Sequence, residues 1–183
     1  SLVDDVVSIM MPDVRKKQQE LKVSVEADVR SRVRGDPLRL RQVFMNLLSN
    51  AVKFTPDGGH IGIALTESAS VFDGVGHYRL VFSDDGIGMS PAFLERLFVP
   101  FEREENSMTS KTTGTGLGMT ISRAIVEMMN GSIEVGSERG RGTVFTVTVH
   151  LKHQPAASTA VSDAVEQRTI LVVIDDPAGR EKA

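Results

Sequence analysis

The stretch TTGTGLGMT, residues 112–120, places three glycines at alternate positions immediately before a helical pattern. These glycines are Gly114, Gly116 and Gly118. Because glycine adopts backbone conformations that other residues avoid, this spacing favours a loop whose main chain is closely approached by a ligand or another segment. The stretch fits neither the G-x-x-x-x-G-K-[ST] phosphate loop nor the G-x-G-x-x-G loop that follows a strand. Two common nucleotide-binding architectures are therefore excluded.

The composition is that of one compact domain with tails, because 183 residues with 40% hydrophobic residues can build a real core. The net charge of −3 argues against a nucleic-acid partner and against direct contact with a membrane surface. Cysteine is absent, which excludes a disulfide framework and thiolate metal sites and fits a reducing compartment. We therefore expect a cytoplasmic location. No apolar run approaches the roughly 20 residues that span a bilayer.

Three segments have helical periodicity. Residues 1–20 are predicted to be helical, with a kink or split at Pro12. The clearest helix follows Asp36, a suitable N-cap, with Pro37 in the first turn, and it ends at TPDGG. A further amphipathic helix is predicted from about Leu117 to Met129, closed by the Asn-Gly pair that follows it.

Alternating apolar and polar residues predict strands near residues 21–25, Ile61 to Glu67, Tyr78 to Ser83, Ser132 to Ser137 and Thr143 to His150. Residues 1–152 are therefore predicted to form an α/β (α+β) two-layer sandwich, with helices on one face of a mixed, mostly antiparallel sheet. Residues 153–168 are rich in small polar residues and are predicted to be a linker. The following TILVVIDD is typical of the first buried strand of another domain.

A line of polar side chains runs along the helix that follows Asp36, opposite its apolar stripe. Its members are Gln42, Asn46, Asn50 and Lys53, spaced so that they share one narrow face. Carboxamides and an ammonium on one face suit a hydrated magnesium ion and phosphate oxygens. A solvated helix face is the alternative, although two asparagines inside a helix need a reason.

A pair of acidic residues, Asp84 and Asp85, ends a predicted strand in the sequence FSDDGIGM. A carboxylate in a concave apolar site can accept a hydrogen bond from an amine such as that of adenine. The alternative is an ordinary Asp-Gly turn. The glycines of residues 112–120 precede a helix whose first amides are unpaired, so an anion such as a polyphosphate could bind there. The alternative for them is a flexible helix-entry loop.

Taken together, four motifs resemble the boxes of the histidine kinase catalytic domain, in that family's order and spacing. NLLSNAVKF, DDGIGM, FVPFER and GTGLGM resemble its asparagine, first glycine, phenylalanine and second glycine boxes. GSERGRGTVFTV resembles its final glycine turn and strand. The family belongs to the Bergerat-fold ATPases, with gyrase, mismatch-repair and heat-shock chaperone ATPases. The resemblance implies the Bergerat ATP-binding fold for residues 1–152, with ATP and Mg²⁺ as cofactors.

The resemblance also implies individual roles. Asp84 would bind the adenine amino group, and Asn50, helped by Asn46, would bind magnesium. Lys53 would contact a phosphate, and Arg103 resembles a position that supports the γ-phosphate. Residues 102–115 would form a nucleotide lid that is mobile without nucleotide, hinged at Gly114, Gly116 and Gly118 and anchored by Phe98 and Phe101. The other nucleotide-contacting positions that the resemblance implies are Gly86, Gly88, Met89, Thr115, Leu117 and Thr143.

The residue at position 46 separates subfamilies. Hydrolysing relatives typically have a glutamate there that activates water, whereas Asn46 cannot take a proton. The resemblance therefore implies a protein histidine kinase that transfers the phosphoryl group to a histidine. None of the four histidines of this chain lies in an acceptor-like motif; they are His60, His77, His150 and His153. The acceptor is expected on a separate histidine-containing dimerisation domain of the same protein.

The end of the chain suggests a second partner. TILVVIDDPAGR resembles the opening strand and acidic loop of a response-regulator receiver domain, although Ile174 stands where an aspartate is expected. Residues 169–183 are thus predicted to begin a truncated receiver-like domain of a hybrid sensor kinase, with a receiver domain or response regulator as partner. The alternative for these residues is a tail without a fold.

Three other functions remain open at this point. One is a nucleotide-binding regulatory module without transfer. The second is an ATP-hydrolysing machine of the gyrase or chaperone kind, and the third is a serine kinase of the anti-sigma type. The resemblance also leaves open whether the full-length protein is anchored in a membrane.

Overall fold

A computed structural model describes residues 2–26, 29, 32–104 and 115–154, and the backbone of residues 172–175. It contains four helices and seven strands within these ranges. In chain order they are α1 Leu2–Lys16, β1 Glu20–Val25, β2 Arg32–Gly35, α2 Pro37–Phe54, β3 His60–Ala69, β4 Val75–Asp84, α3 Pro91–Leu94, α4 Gly118–Met128, β5 Ser132–Glu138, β6 Gly142–His153 and β7 Val172–Asp175.

The strands form one sheet built around β6. Strand β4 pairs with one edge of β6, while β5 and the short β2 share its other edge. Beyond β4 lie β3 and then β1, and beyond β2 lies β7. The β1–β3 and β2–β7 pairs are parallel and the other pairs are antiparallel. The predicted mixed, mostly antiparallel sheet is confirmed.

One face of the sheet is buried beneath the helices. Alternate residues of β4, such as Leu80 and Phe82, are buried and stand opposite Val147 and Phe145 of β6. The Phe44 ring of α2 lies 5.7 Å from the Phe82 ring. Helix α2 lies between α1 and α4 and contacts both. The predicted two layers, with helices on one face, are therefore confirmed.

The start of α2 follows the sequence signals. Asp36 is the N-cap, and its carboxylate accepts hydrogen bonds from the backbone amides of Leu38 and Arg39 at 3.0 and 3.1 Å. Pro37 occupies the first turn and Thr55 ends the helix, as TPDGG predicts. These caps fix where the polar line of α2 begins and ends.

Helix α4 ends in a Schellman motif. Asn130 adopts a positive φ of 54°, its amide donates to the Glu127 carbonyl at 3.0 Å, and the Gly131 amide donates to Val126 at 2.9 Å. In the predicted Asn-Gly cap, the asparagine rather than the glycine takes the left-handed conformation.

Helix α1 corrects one expectation. It runs unbroken from Leu2 to Lys16, so of the kink or split expected at Pro12 the split is wrong, and the helix ends before the predicted limit of residue 20. Pro12 is exposed, and its missing amide removes one helical hydrogen bond on the solvent side. Buried side chains on the inner side, such as Val6 and Val14, pack on both sides of the proline and hold the helix together.

The end of the described chain differs in detail from the predicted organisation. Strand β6 extends to His153, one residue beyond the predicted limit of the first domain. Residues 172–175 form a strand, as TILVVIDD predicts, but it pairs in parallel with β2 of the same sheet. Residues 155–171 and 176–183 lie outside the described residues, so the linker and the receiver-like start remain predictions. Within the ranges described, none of the helices combines the length and the apolar character that crossing a membrane requires.

Candidate nucleotide-binding site

A cavity of about 370 Å³ opens between the C-terminal half of α2, the loop after β4 and the start of α4. Its lining includes many of the residues that the sequence predicts for a nucleotide site. They are Asn50, Lys53, Asp84, Gly88, Met89, Arg103, Thr115, Gly116, Gly118 and Thr143. Segments far apart in the sequence thus meet at one cavity.

The α2 wall carries Asn50 and Lys53. The Asn50 side-chain nitrogen lies 3.4 Å from the Met119 sulfur of α4, so the two helices meet at this residue. The Lys53 ammonium lies 4.9 Å from the centre of the Phe54 ring. Partial burial lowers the pKa of Lys53, and the positive Arg103 lowers it further. Two cationic groups therefore act on each other at this wall, as in a site that receives an anion.

Asp84 is a half-buried acid of the cavity wall. It is the last residue of β4 and stands opposite Thr143 of β6. Burial raises the pKa of Asp84 to about 6, and the negative Asp85 acts in the same direction. Hydrogen bonds from the Gly86 amide, at 2.9 Å, and from the Thr143 backbone oppose this rise. The carboxylate is thus partly desolvated and ready to accept a hydrogen bond from a ligand.

The loop after Asp84 is held between α2 and the β5–β6 hairpin. A side chain at Gly86 would come within 2.6 Å of the Phe54 carbonyl oxygen. Gly88 has a φ of 61° and lies directly against the backbone of Glu138. The Met89 amide donates to the Ser137 hydroxyl at 2.9 Å. The two glycines therefore allow a close approach that any side chain would prevent.

The backbone of Gly116 packs directly against the backbone of the segment that follows Phe98. Its φ is 71°, its carbonyl accepts the Phe101 amide at 3.2 Å, and a Cβ there would lie 2.8 Å from the Phe101 carbonyl carbon. The Phe101 ring is 73% exposed, so only its backbone makes this connection. Phe98 packs against the core, and its carbonyl accepts the Thr120 hydroxyl at 3.1 Å. Of the two phenylalanines predicted to anchor the lid, Phe98 is the one whose ring packs inward.

Some predicted site residues lie elsewhere. Asn46 is not in the cavity wall, because its amide donates to the Gly118 carbonyl at 3.1 Å and to the Ser122 hydroxyl at 3.0 Å. Leu117 is the N-cap of α4 and makes no side-chain capping bond. Gly86 does not line the cavity either, and it packs against the Phe54 backbone instead. Gly114 and the rest of residues 105–114, which make up most of the predicted lid, lie outside the described residues.

The four histidines all lie in strands. His60 begins β3, and its ring Nδ1 is 2.7 Å from an Asp85 oxygen; this hydrogen bond raises the pKa of His60. His77 and His150 are cross-strand partners with ring centres 4.8 Å apart. His153 contacts Glu67 with 2.8 Å between Nε2 and Oε1.

Several residues of the cavity wall were missed by the sequence analysis: Ser49, Ala51, Phe54, Ile87, Phe93, Leu97, Glu102, Glu104, Met119 and Phe145. Signals existed for most of them. Ser49, Ala51 and Phe54 lie inside the quoted asparagine motif, Ile87 and Met119 lie inside the glycine motifs, and Phe145 lies on the buried side of an alternating strand. Glu102 and Glu104 lie in the predicted lid, and Glu102 also belongs to the quoted phenylalanine motif, but nothing in the sequence assigned either side chain to the cavity wall.

The sheet, the helical layer and the cavity between α2 and the glycine loops define a domain of the nucleotide-binding class. The chain belongs to the family described as histidine kinase-, DNA gyrase B-, and HSP90-like ATPase, whose profile matches residues 35–153. Within that family it is an ATP-binding catalytic domain of the sensor histidine kinase type, as the following similarities show.

The chain is 38% identical over 150 residues to the sensor protein GacS of Pseudomonas syringae pv. syringae. This match covers 82% of the chain but 16% of GacS, so the chain corresponds to a small part of that relative. The solved catalytic domain of histidine kinase ThkA is similar with a TM-score of 0.65 and 26% identity, covering 81% of this chain and 89% of that domain. The structure of full-length ShkA in complex with AMPPNP is similar with a TM-score of 0.67 and 33% identity. This match covers 85% of this chain and 30% of the ShkA chain.

Proposed function

We propose that this domain binds ATP with Mg²⁺ and transfers the γ-phosphoryl group to a histidine on a separate dimerisation domain of the same protein. The observation that carries the proposal is the arrangement of the cavity. The half-buried Asp84 carboxylate stands at one wall, and Asn50 and Lys53 stand at another, within one space of about 370 Å³. In this proposal an acceptor for an amine and groups suited to a polyphosphate would face one ligand.

The residues at the Asp84 wall fit a purine base. Ile87, Met89 and Phe145 supply apolar surface beside the carboxylate. Small-molecule sites typically combine such surface with a few directed polar groups, and their volumes run from about 300 Å³ upward. The Asp84 carboxylate would accept a hydrogen bond from the adenine amino group, whereas it would repel the carbonyl oxygen of guanine.

Other residues of the cavity lining suit a triphosphate. Lys53 and Arg103 supply positive charge, and Gly116 and Gly118 bring backbone close to the cavity. Leu117, the N-cap of α4, makes no side-chain capping bond, so the amides of the first turn would suit an anion. Lys53 would contact a phosphate, and Arg103 would support the γ-phosphate.

Magnesium suits the Asn50 carboxamide oxygen. The described ranges contain no cluster of three acidic or histidine side chains that could hold a metal, so phosphate oxygens and water would complete the coordination. When bound, Mg²⁺ neutralises charge on the phosphates during transfer. The part of Asn50 in this proposal is to fix the ion at the α2 wall.

Transfer rather than hydrolysis is supported by Asn46. A carboxamide cannot act as a general base, and this one is already hydrogen-bonded to Gly118 and Ser122. The domain therefore positions the nucleotide and leaves the nucleophile to a partner, a histidine of the dimerisation domain. A receiver domain or response regulator would then take the phosphoryl group, in a protein whose kinase domain lies in the cytoplasm.

The test is phosphoryl transfer from γ-labelled ATP. The chain alone should neither label itself nor hydrolyse ATP quickly, and adding a cognate helical acceptor domain should produce acid-labile phosphohistidine on that domain. Asn50→Ala should abolish the labelling, while Gln42→Ala, an exposed residue of the same helix, should preserve it. Strong self-labelling, rapid turnover without the acceptor, or equal labelling by Asn50→Ala would overturn the proposal.

A further inference from the structure

Two side chains that follow α1 bind the carbonyl groups at the C-terminal end of α2. The Lys17 ammonium donates to the carbonyl oxygens of Val52 and Lys53 at 2.8 and 3.2 Å, and also to that of Thr55. The Gln19 carboxamide donates to Val52 at 3.0 Å and to Thr55 at 2.8 Å. The last carbonyls of a helix have no partner within the helix, so these two side chains supply the missing donors.

The contacts are electrostatically suited to their place. A helix carries partial negative charge at its C-terminus, which the Lys17 ammonium complements. Gln19 is only 8% exposed, and its Oε1 is buried without a hydrogen-bond partner among the described residues. An unpaired buried oxygen is costly, so the donor half of Gln19 must contribute enough to offset it. The backbone adds to the connection, because the Gly58 amide donates to the Lys17 carbonyl at 2.9 Å.

The turn that Lys17 and Gln19 hold is also a wall of the nucleotide cavity. Lys53 and Phe54 both line that cavity. The Phe54 carbonyl accepts the Ile87 amide at 3.2 Å, which fixes the loop that follows Asp84. A shift of this one turn would therefore move the proposed phosphate contact and the proposed adenine contact together.

We infer that Lys17 and Gln19 are positioning residues for nucleotide binding, which act through the last turn of α2 without touching the nucleotide. The inference rests on the proposed ATP site. It makes the end of α1 part of the nucleotide-binding apparatus, so the geometry of the cavity depends on how α1 meets α2.

Calorimetry of Mg-ATP binding at a temperature where all variants are folded tests the inference. Lys17→Met should weaken binding about tenfold, the factor that corresponds to about 1.4 kcal/mol. Lys16→Met removes the same charge from the neighbouring exposed lysine, and it should leave the affinity unchanged. Val6→Ala opens a cavity in the core under α1, and it should lower the melting temperature while leaving the affinity unchanged.

A double-mutant cycle separates positioning from a general loss of structure. If Lys17 acts through the turn that carries Lys53, then Lys17→Met should weaken binding by less than about threefold in a Lys53→Gln background. Gln19→Glu, which turns a donor into an acceptor against the same carbonyls, should weaken binding in the parent chain as Lys17→Met does. If Lys17→Met does not fold, Gln19→Glu alone carries the test.

The outcomes distinguish the two proposals. A parent chain that does not bind Mg-ATP overturns the proposed function itself. A parent chain that binds, together with unchanged affinity in Lys17→Met and Gln19→Glu, overturns only the inference. Fully additive effects of Lys17→Met and Lys53→Gln, or a loss in Val6→Ala equal to that in Lys17→Met, would overturn it as well.

Discussion

The side-chain amide of Asn46 donates to the carbonyl oxygen of Gly118 at 3.1 Å and so joins the middle of α2 to the first turn of α4. The same nitrogen donates to the hydroxyl of the fully buried Ser122 at 3.0 Å. These two helices carry Asn50 and Met119, which line the cavity. Asn46 therefore links two helices that form cavity walls, although its own side chain does not line the cavity.

Replacing Asn46 with alanine should lower the free energy of unfolding by about 1–3 kcal/mol, because the buried Ser122 hydroxyl and the Gly118 carbonyl lose a donor. Urea denaturation measures this difference. Gln42→Ala, one turn earlier and exposed, is the matched control and should stay within about 0.5 kcal/mol of the parent. Equal losses in the two variants would show that the interhelical hydrogen bonds contribute nothing.

Replacing Asp84 with asparagine should weaken ATP binding by about tenfold to a hundredfold, the effect of losing a hydrogen bond to a charged group worth about 1.5–3 kcal/mol. The parent chain should also prefer ATP to GTP. Calorimetry with both nucleotides measures this. Asp73→Asn, in the turn at the far end of β4, is the control and should bind ATP like the parent. Unchanged ATP affinity in Asp84→Asn would rule out its role with adenine.

The same substitution should have the opposite effect on the stability of the free protein. The pKa of Asp84 is raised to about 6 by burial, above the value near 3.9 of an unfolded chain. The contribution of Asp84 to the free energy of unfolding is therefore fully present below about pH 4 and is lost as the pH rises through 6. A neutral asparagine in place of this acid carries no such loss, so Asp84→Asn should be more stable than the parent at pH 8.

The size of this gain is on the order of 1 kcal/mol, because the carboxyl group is not fully buried and solvent screens part of the penalty. Urea denaturation of both proteins at pH 4.5 and pH 8 measures it, and the difference between them cancels most other titrating groups. A gain that shrinks as the pH rises would contradict the assigned direction of the pKa shift.

Much of the fold could be predicted because its signals are local. The Asp36–Pro37 cap fixes the start of α2, and alternation along β6 identifies the buried face of the sheet. Pro12 does not split α1, because one lost hydrogen bond on an exposed helix face is outweighed by core contacts such as those of Val6. The pairing of β7 with β2 is long-range and has no local signal.

The site could be predicted as motifs but not as geometry. The sequence identified Asn50, Lys53 and Asp84 as candidates, and the structure brings them to one cavity. The sequence could not indicate that the Asn46 side chain would donate hydrogen bonds to α4, because helical spacing places Asn46 on the same face as Asn50. The contacts of Lys17 with the α2 carbonyls join segments more than 30 residues apart, and only the tertiary fold reveals them.

Gly116 offers a test of the loop geometry at the mouth of the cavity. Its φ of 71° is unfavourable for alanine, and a Cβ there would lie 2.8–2.9 Å from the backbone of Phe101 and Glu102. Gly116→Ala should therefore lower the free energy of unfolding by about 1–3 kcal/mol through backbone strain. It should also break the hydrogen bond between the carbonyl of residue 116 and the Phe101 amide.

Thermal unfolding should show a lower melting temperature for Gly116→Ala, and calorimetry should show weaker ATP binding. Gly136→Ala is the matched control, because its φ is outside the left-handed region and a Cβ there would meet no atom within 4 Å. That variant should be as stable as the parent or slightly more stable, since alanine reduces the entropy of the unfolded chain. If the two alanine variants are equally stable and bind ATP equally well, the close crossing of Gly116 over Phe101 is not required for the site.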